Sequence, residues 1–466
     1  LLEADTTEIH TFLTADIGFV IAASAMVGLA MSWLYAKLCW QRQTWRAGLQ
    51  HACAVLALLI VFLLGKRAFS FDAENIWLIL CAAGLMSAWR ISQTAPHAWA
   101  TALGLAVLLA PALANKKQSA AYLPTQLFYA VSQHVTDLIL IARANANRTN
   151  IASLPNAAAD IADEEMITVL VIGESARADH FGLNGYARPT TPNLSKKADV
   201  VSFTQAKSCA AATRISVPCL MTRATEQDLS KAASETSAIS VFRHFGFDTA
   251  WLSTNQLYGQ HDTPITVIAN EAATHQFSSP LGDLNRGSFD KELIEPLQQF
   301  LAKPARRKFI VLHQRGSHWN YDDRYPSVFR QFTPVCTSHT PPYLCATDRL
   351  KNSYDNSILY TDDVLAEVMN QLSNRRALML YTSDHGQSLG EDGFYTHGSP
   401  ERPEQRHVPM IWWASQSFKQ AHPEVLQSLA TKRLQPVSHD HVFHSLLGCT
   451  GFKGSLIDES LNLCAK

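Results

Sequence analysis

The stretch Leu378–Ser399 reads LMLYTSDHGQSLGEDGFYTHGS, and it decides the fold. It opens with the apolar run Leu378–Tyr381, turns at once to Asp384 and His385, and ends close to His397. Such a run is typical of a buried strand in a parallel sheet, and open α/β sheets bind ligands beyond the carboxyl ends of their strands. An adjacent carboxylate and imidazole on a glycine-rich turn suit a tetrahedral zinc site. The simpler alternative is a helix N-cap aspartate beside a hydrogen-bonded histidine.

A second apolar run ends in the same way. Residues 166–173 read MITVLVIG, and Glu174 and Ser175 follow directly. Helical patterns alternate with further strand-like runs along the rest of the chain, which predicts a largely parallel sheet covered by helices on both faces. The other runs are strands at Thr249–Leu252, Phe309–His313 and Met410–Trp413, and helices at Asp290–Leu301 and Asn352–Leu372.

Two more segments place reactive side chains near strand ends. Small residues precede Thr213 in the segment SCAAATRISVPC, and His313 and His318 follow another strand. A hydroxyl is a poor nucleophile at neutral pH unless a metal or a base activates it, and a rigid turn can hold it against a metal. A helix N-cap threonine and a surface histidine are the simpler alternatives. Taken together, the strand ends predict a metal-assisted transfer site with a hydroxyl nucleophile.

Charge divides the 466-residue chain in two. The net charge of −1 gives no reason to expect a nucleic-acid partner. Charged residues are scarce before about residue 115, where apolar segments cover 13–38, 49–64, 76–89 and 99–113. We therefore predict a transmembrane domain at 1–120 with about four α-helical spans. The chain starts at Leu1 without a visible signal peptide, which fits either a fragment that lacks an earlier membrane helix or a renumbered chain.

The segment 121–164 is expected to join the two parts. Residues 122–143 carry apolar positions at helical spacing, which fits a helix on the membrane surface and equally a helix packed on the soluble domain. Residues 145–163 are rich in Ala, Asn, Asp and Pro and indicate a linker. The segment 165–466 is the predicted catalytic domain.

Basic residues and cysteines bear on the compartment. Lys37, Arg42 and Arg46 place the first loop in the cytoplasm, so that four spans return the chain to the periplasm, although two later basic pairs oppose this orientation. The even cysteine set beyond the membrane part suits disulfides in an oxidising compartment, and the absence of a C-x-x-C knuckle disfavours a structural zinc site. This set comprises Cys209, Cys219, Cys336, Cys345, Cys449 and Cys464.

Five blocks, in this order, resemble the phosphoethanolamine transferases of the alkaline phosphatase and sulfatase superfamily, which include lipid A modifying enzymes behind polymyxin and colistin resistance. The resemblance covers essentially the whole chain beyond about residue 165. The blocks are VIGESARADHFGLNGYARPTTPNL, SCAAATRISVPC, VLHQRGSHWNYDDRYP with FTPVC, NSYDNSILYTDD and TSDHGQSLGEDGFYTHG.

The resemblance implies an alkaline-phosphatase-like α/β domain and a set of site residues. It makes Glu174, Thr213, Asp384 and His385 the principal zinc site, with Thr213 as the nucleophile. A second group, His318 and His397, would meet the transferred phosphate or a second zinc. It also implies disulfides between Cys209 and Cys219 and between Cys336 and Cys345, and the even count adds Cys449 with Cys464.

Two departures from the family pattern concern the substrates. Lipid A directed members carry a lysine within a Gly- and Cys-rich segment, where this chain reads STNQLYGQHD at 253–262. At the amino terminus, ADTTE is similar to a segment that contacts the lipid substrate, and Glu8 matches its acidic residue. A threonine expected four positions earlier is Ala4 here.

The family's reaction is a two-step transfer within the envelope. Thr213 would take phosphoethanolamine from phosphatidylethanolamine and pass it to a glycolipid acceptor, either lipid A or the lipopolysaccharide core, among the lipids of the bacterial inner membrane. The same site would also serve a phosphodiesterase that transfers to water, or a transferase acting on a periplasmic glucan. A sulfatase is disfavoured, because the C/S-x-P-x-R context is missing. A catalytically silent, lipid-binding membrane scaffold is the alternative from another class.

Overall fold

The computed structural model describes residues 151, 158–159, 164–256, 264–279, 289–337 and 340–465. The four predicted spans, the helical pattern of 122–143 and Glu8 lie outside the described residues, so the predicted domain boundaries stay predictions. Among the residues that are described, no helix is both long and apolar enough to cross a bilayer.

Seven strands form the central sheet: β1 Met166–Gly173, β2 Val200–Phe203, β3 Asp248–Gln256, β4 Thr274–Ser279, β5 Arg307–His313, β6 Ala377–Ser383 and β7 Met410–Ala414. Their order across the sheet is β2-β7-β6-β1-β5-β3-β4.

The sheet is largely parallel, as predicted, but it is mixed. β1 pairs in parallel with both β5 and β6, and β3 pairs in parallel with β5 and β4. The exception is β7, which runs antiparallel to both of its neighbours, β6 and β2. Because β1, β5 and β6 are parallel neighbours, their carboxyl ends meet at one edge of the sheet.

Both faces of the sheet are buried, which explains the continuous apolar runs of its central strands. Side chains alternate between the faces, so Leu170 joins one apolar core and Val171 joins the other. The first core includes Phe242 and Leu446, and the second includes Leu365. The prediction of helices on both faces is therefore confirmed.

Eight α-helices connect and cover the strands in the described part of the chain. The longest begins five residues before the predicted start at Asn352 and ends at the predicted Leu372. The helices are α1 Thr213–Leu220, α2 Ala238–His244, α3 Pro264–Ala269, α4 Ile294–Leu301, α5 Thr347–Leu372, α6 Gln416–Ala421, α7 Pro423–Lys432 and α8 Asp440–Thr450.

Disulfides and a short strand pair complete the domain. Part of the predicted linker is ordered, because Ala158–Ala159 pairs antiparallel with Phe452–Lys453 near the end of the chain. The assignment of 145–163 as a linker stays a prediction, since most of this segment lies outside the described residues. The structure also pairs all six cysteines that follow residue 120, as Cys209–Cys219, Cys336–Cys345 and Cys449–Cys464.

Candidate metal centre and active site

Three elements bring the candidate ligands together at the carboxyl edge of the sheet. Gly173 at the end of β1 lies opposite Ser383 at the end of β6. Glu174 and Asp384, the next residues of the two strands, therefore leave the sheet side by side. Thr213 is the first residue of α1, so the partial positive charge of the helix amino terminus lies beside its hydroxyl.

The donor atoms of these residues lie within a few ångströms of one another. The Thr213 hydroxyl donates to Glu174 Oε2 at 3.0 Å and lies 3.1 Å from His385 Nε2. His385 Nε2 is 3.4 Å from Glu174 Oε1 and 3.3 Å from Asp384 Oδ2. One potential metal-ligand atom from each of Glu174, Asp384 and His385 lies within 4.8 Å of the other two.

Neither simple alternative for these residues holds. Asp384 caps no helix, because its Oδ1 accepts hydrogen bonds from the backbone amides of Ser175 and His385 at 3.1 and 2.7 Å. The N-cap of α1 is Ala212, and the Thr213 hydroxyl faces Glu174 and His385 instead of the helix backbone.

The turn after β1 is held in an uncommon conformation. Ser175 has a φ of 58°, which is rare for a residue with a side chain. Its hydroxyl donates to Glu174 Oε1 at 2.7 Å, and its carbonyl accepts from the Tyr354 hydroxyl at 2.6 Å. These bonds orient Glu174 toward Asp384.

The donor set fits a divalent cation such as zinc. His385 Nδ1 donates to the Gly386 carbonyl at 2.8 Å, which leaves the lone pair of Nε2 directed at the cluster. Asp384 Oδ2 is buried without a hydrogen-bond partner, an arrangement that is costly unless a cation is present. Two carboxylates, an imidazole and a hydroxyl are also ligands that zinc accepts.

Electrostatics supports the same assignment. Burial, together with the adjacent charge of Asp384, raises the pKa of the Glu174 carboxyl well above its usual value. Two buried carboxylates without a counter-charge repel each other, and a bound cation would remove that penalty.

Two further histidines lie beside the candidate ligands. The ring of His397 lies 4.3 Å from that of His385 and 5.6 Å from that of His318. Burial lowers the pKa of His318 to about 4 and that of His397 well below its usual value. Both imidazoles are therefore neutral at pH 7 in the metal-free and substrate-free protein.

Hydrogen bonds fix which nitrogen of each of these imidazoles faces the site. His318 Nδ1 donates to the Trp319 carbonyl at 2.6 Å. His397 Nδ1 lies 3.2 Å from Gln387 Oε1, and the amide of Gln387 donates in turn to the Tyr321 hydroxyl. In both rings, Nε2 is left to meet a phosphate, a proton or a cation.

The structure thus brings together the four residues predicted for the zinc site and the two histidines predicted to meet the phosphate or a second zinc. His313 contacts Ser253 and Asn255 of β3 instead, and burial lowers its pKa to about 4. Of the predicted disulfides, Cys209–Cys219 joins the loop before Thr213 to α1.

Sequence reasoning missed the residues that support this centre. Besides Tyr354 and Gln387, buried His439 donates from Nε2 to the Ser383 carbonyl at 3.0 Å, and its Nδ1 lies 3.8 Å from Cys209 Sγ. His439 therefore links the end of β6 to the loop that carries Thr213. No local pattern marks these residues, because their partners are distant in sequence.

Comparison with known proteins defines the class. The sulfatase family model matches residues 167–452, which is more than half of the chain. The chain therefore belongs to the sulfatase family.

Relatives narrow the assignment within that family. Phosphoethanolamine transferase EptA of Salmonella typhimurium is 33% identical over 301 residues, covering 62% of this chain and 54% of that protein. The soluble domain of lipooligosaccharide phosphoethanolamine transferase A from Neisseria meningitidis is 30% identical, with a TM-score of 0.59, covering 66% of this chain and 95% of that domain. Within the sulfatase family, this chain thus belongs with the phosphoethanolamine transferases.

A solved integral membrane protein is also similar to this chain. The integral membrane protein lipooligosaccharide phosphoethanolamine transferase A (EptA) from Neisseria meningitidis is 25% identical, with a TM-score of 0.68, and the match covers 88% of this chain and 82% of that one. The chain spans about half the length of the curated relatives it matches.

Proposed function

We propose that the protein transfers phosphoethanolamine from phosphatidylethanolamine to an envelope glycolipid, through a covalent intermediate on Thr213 and with zinc in the cluster of Glu174, Thr213, Asp384 and His385. The observation that carries this proposal is the Thr213 hydroxyl, which lies 3.0 Å from Glu174 Oε2 and 3.1 Å from His385 Nε2 at the amino terminus of α1. A threonine with only a structural role would not require a buried carboxylate and an imidazole beside its hydroxyl.

Zinc bound there would lower the pKa of the threonine hydroxyl and polarise a phosphoryl oxygen. Glu174 orients the hydroxyl, since it accepts the Thr213 hydrogen bond, and it is itself held by Ser175. The amino terminus of α1 favours negative charge on the Thr213 oxygen.

The transfer has two displacements at phosphorus. In the first, the Thr213 oxygen bonds to phosphorus, the bond to the diacylglycerol oxygen breaks, and diacylglycerol leaves with a proton. In the second, an acceptor oxygen bonds to phosphorus, gives up its proton, and breaks the bond to Thr213. We assign proton transfer to His318 and His397, whose rings lie 5.6 Å apart: Nε2 of these residues would accept the proton of the acceptor and return one to the leaving oxygen. The anionic phosphate would raise their low pKa values on binding.

The acceptor follows from the relatives and from one departure. Lipooligosaccharide appears in the names of the two Neisseria meningitidis proteins, which favours a glycolipid. The segment 253–262 lacks the lysine of lipid A directed members, so we propose the lipopolysaccharide core beside lipid A as a candidate acceptor. A periplasmic glucan is a second candidate with the same chemistry.

The proposed location is the bacterial inner membrane, with the catalytic domain in the periplasm. Three disulfides in the described domain fit an oxidising compartment. The four apolar segments before residue 115 would keep the site near the lipid donor and the membrane lipids around it.

Replacement of Thr213 tests the covalent step. We expect Thr213→Ala to retain zinc through the remaining three ligands but to form no covalent adduct, whereas Thr213→Ser should form the adduct more slowly. Intact-protein mass spectrometry after incubation with phosphatidylethanolamine measures the added phosphoethanolamine, and elemental analysis measures zinc. Wild-type transfer by Thr213→Ala would refute the covalent scheme.

A second experiment separates transfer from its rivals. Phosphatidylethanolamine labelled in the ethanolamine would be supplied with and without lipopolysaccharide, and the labelled products would be identified. Label on the glycolipid supports transfer, and free phosphoethanolamine formed equally fast without acceptor supports a phosphodiesterase. Zinc binding with no labelled product and no adduct would indicate a silent scaffold.

A further inference from the structure

Three large apolar side chains are exposed on two neighbouring loops, and we name Tyr343, Leu344 and Phe394 the apolar rim. Their exposed fractions are 51%, 66% and 43%. Single exposed apolar residues are ordinary, whereas a cluster of them marks a surface that another molecule covers.

The apolar rim lies close to His397 of the candidate site. The short 3-10 helix Pro342–Leu344 packs against the strand Tyr395–Thr396, which follows Phe394 directly. His397 is the next residue, and its ring lies 4.3 Å from that of His385. The rim is therefore connected to the site by one short segment of chain.

Both loops are held in place. The disulfide Cys336–Cys345 closes the first loop, and the Cys336 amide donates to Ser353 Oγ of α5 at 2.9 Å. In the second loop, the guanidinium of Arg402 lies 4.2 Å from the centre of the Phe394 ring. The side chains are thus presented to solvent from anchored backbone.

We propose that the apolar rim contacts the surface of a phospholipid bilayer and admits the lipid donor to the site. This inference rests on the proposed function, because a lipid whose phosphorus reaches Thr213 must keep its acyl chains in apolar surroundings. Leucine, phenylalanine and tyrosine side chains suit the boundary between headgroups and acyl chains. The apolar segments before residue 115 are predicted to cross a bilayer, so a bilayer is the apolar phase to which this chain would be attached.

The test uses the full chain in phosphatidylcholine vesicles and two donors. One donor is long-chain phosphatidylethanolamine in the vesicles, and the other is dibutanoyl phosphatidylethanolamine, which is monomeric in water. For the double variant Tyr343→Asn/Leu344→Asn, we expect kcat/KM on the vesicle donor to fall tenfold or more. The value on the soluble donor should stay within twofold of wild type.

Matched controls come from exposed apolar residues on other segments. Val328 is 76% exposed in the 3-10 helix Ser327–Phe329, and Leu434 is 65% exposed after α7. Val328→Asn and Leu434→Asn should leave both kcat/KM values unchanged. Equal losses on the two donors, no loss on either, or a loss that appears only when glycolipid acceptor is present would each overturn the bilayer proposal.

A direct readout distinguishes failure of the rim from failure of the proposed function. If wild type cleaves neither donor, the function proposal is wrong, and contact is then judged by fluorescence alone. A Phe394→Cys variant lacking Cys39, Cys53 and Cys81 would carry an environment-sensitive dye, with a matched Val328→Cys control. We expect nitroxide-labelled lipids to quench the dye at 394 and not at 328. Equal quenching at both positions would refute the rim.

Discussion

The most informative perturbation is Asp384→Asn, because it removes one buried negative charge and changes little else. The substituted amide would keep an Oδ1 that accepts from the Ser175 and His385 backbone N–H groups. The unpartnered Oδ2 is replaced by an NH₂ group that can donate to Glu174. The substitution therefore exchanges a repulsive pair of carboxylates for a hydrogen bond.

The size of the effect follows from the distance. The candidate ligand atoms of Glu174 and Asp384 lie within 4.8 Å of each other, and both side chains are almost fully buried. Two full charges at that distance repel by about 3.5 kcal/mol at an effective dielectric constant of about 20. This repulsion sets the scale of the gain in the metal-free variant, and protonation of Glu174 would reduce it.

The assay is thermal unfolding of the detergent-solubilised chain at pH 8, with a chelator and with added zinc. In chelator, Asp384→Asn should unfold at the same temperature as wild type or higher. Wild type should be stabilised by zinc, by about 2.7 kcal/mol at a free concentration of about 100 times the dissociation constant. The variant should lose most of that zinc response.

Asp355→Asn is the matched control, since Asp355 is a buried carboxylate whose two oxygens both accept hydrogen bonds. It accepts from Arg188 at 2.7 Å and pairs with His180 at 2.6 Å. Its replacement should lower the unfolding temperature equally in chelator and in zinc, because it leaves the zinc site intact. The reasoning about Asp384 would be refuted if Asp384→Asn were destabilising in chelator, or if wild type showed no zinc response.

Two further predictions concern backbone geometry and pH. Gly316 (φ 50°) and Gly393 (φ 79°) both have positive φ, but an added Cβ meets the Glu174 backbone at 2.7 Å only at 316. Gly393→Ala should cost about 1 kcal/mol and keep zinc, whereas Gly316→Ala should cost more and bind zinc weakly by calorimetry. Burial lowers the pKa of His444 to about 4, and its Nδ1 accepts from the Asp458 amide at 3.0 Å. His444 should therefore contribute on the order of 3 kcal/mol to the fall in folding stability as pH drops from about 6.5 to 4, and His444→Gln should make this fall, measured by urea unfolding midpoints, smaller than in wild type.

Much of the fold could be predicted from the sequence because buried strands consist of apolar residues. β1, β5 and β6 are buried on both faces, so each is an apolar run that a parallel sheet requires. β2 at the sheet edge is short and only partly buried, and it gave no such signal. The reversed direction of β7 was hidden for another reason: its fully buried sequence MIWWA looks the same in either direction.

The candidate site was partly readable for a related reason. Glu174 and Asp384 directly follow strand ends, and parallel neighbours bring such positions together. Tyr354 and Gln387 were not readable, because Tyr354 reaches Ser175 from α5 and Gln387 acts through Tyr321. Such contacts depend on tertiary packing, and no local pattern in the sequence predicts them.

The supporting residues give the strongest argument that the acidic pair serves a cation. Tyr354 holds the Ser175 carbonyl, and His439 holds the Ser383 carbonyl, so the ends of β1 and β6 are each fixed from outside the pair. A fold free to relax would separate two buried carboxylates or supply donors to both, as the structure does for Asp355. Here the surrounding bonds keep Asp384 Oδ2 without a donor and turn it toward the other ligands. An arrangement that is unfavourable in the metal-free protein becomes favourable once a divalent cation is bound.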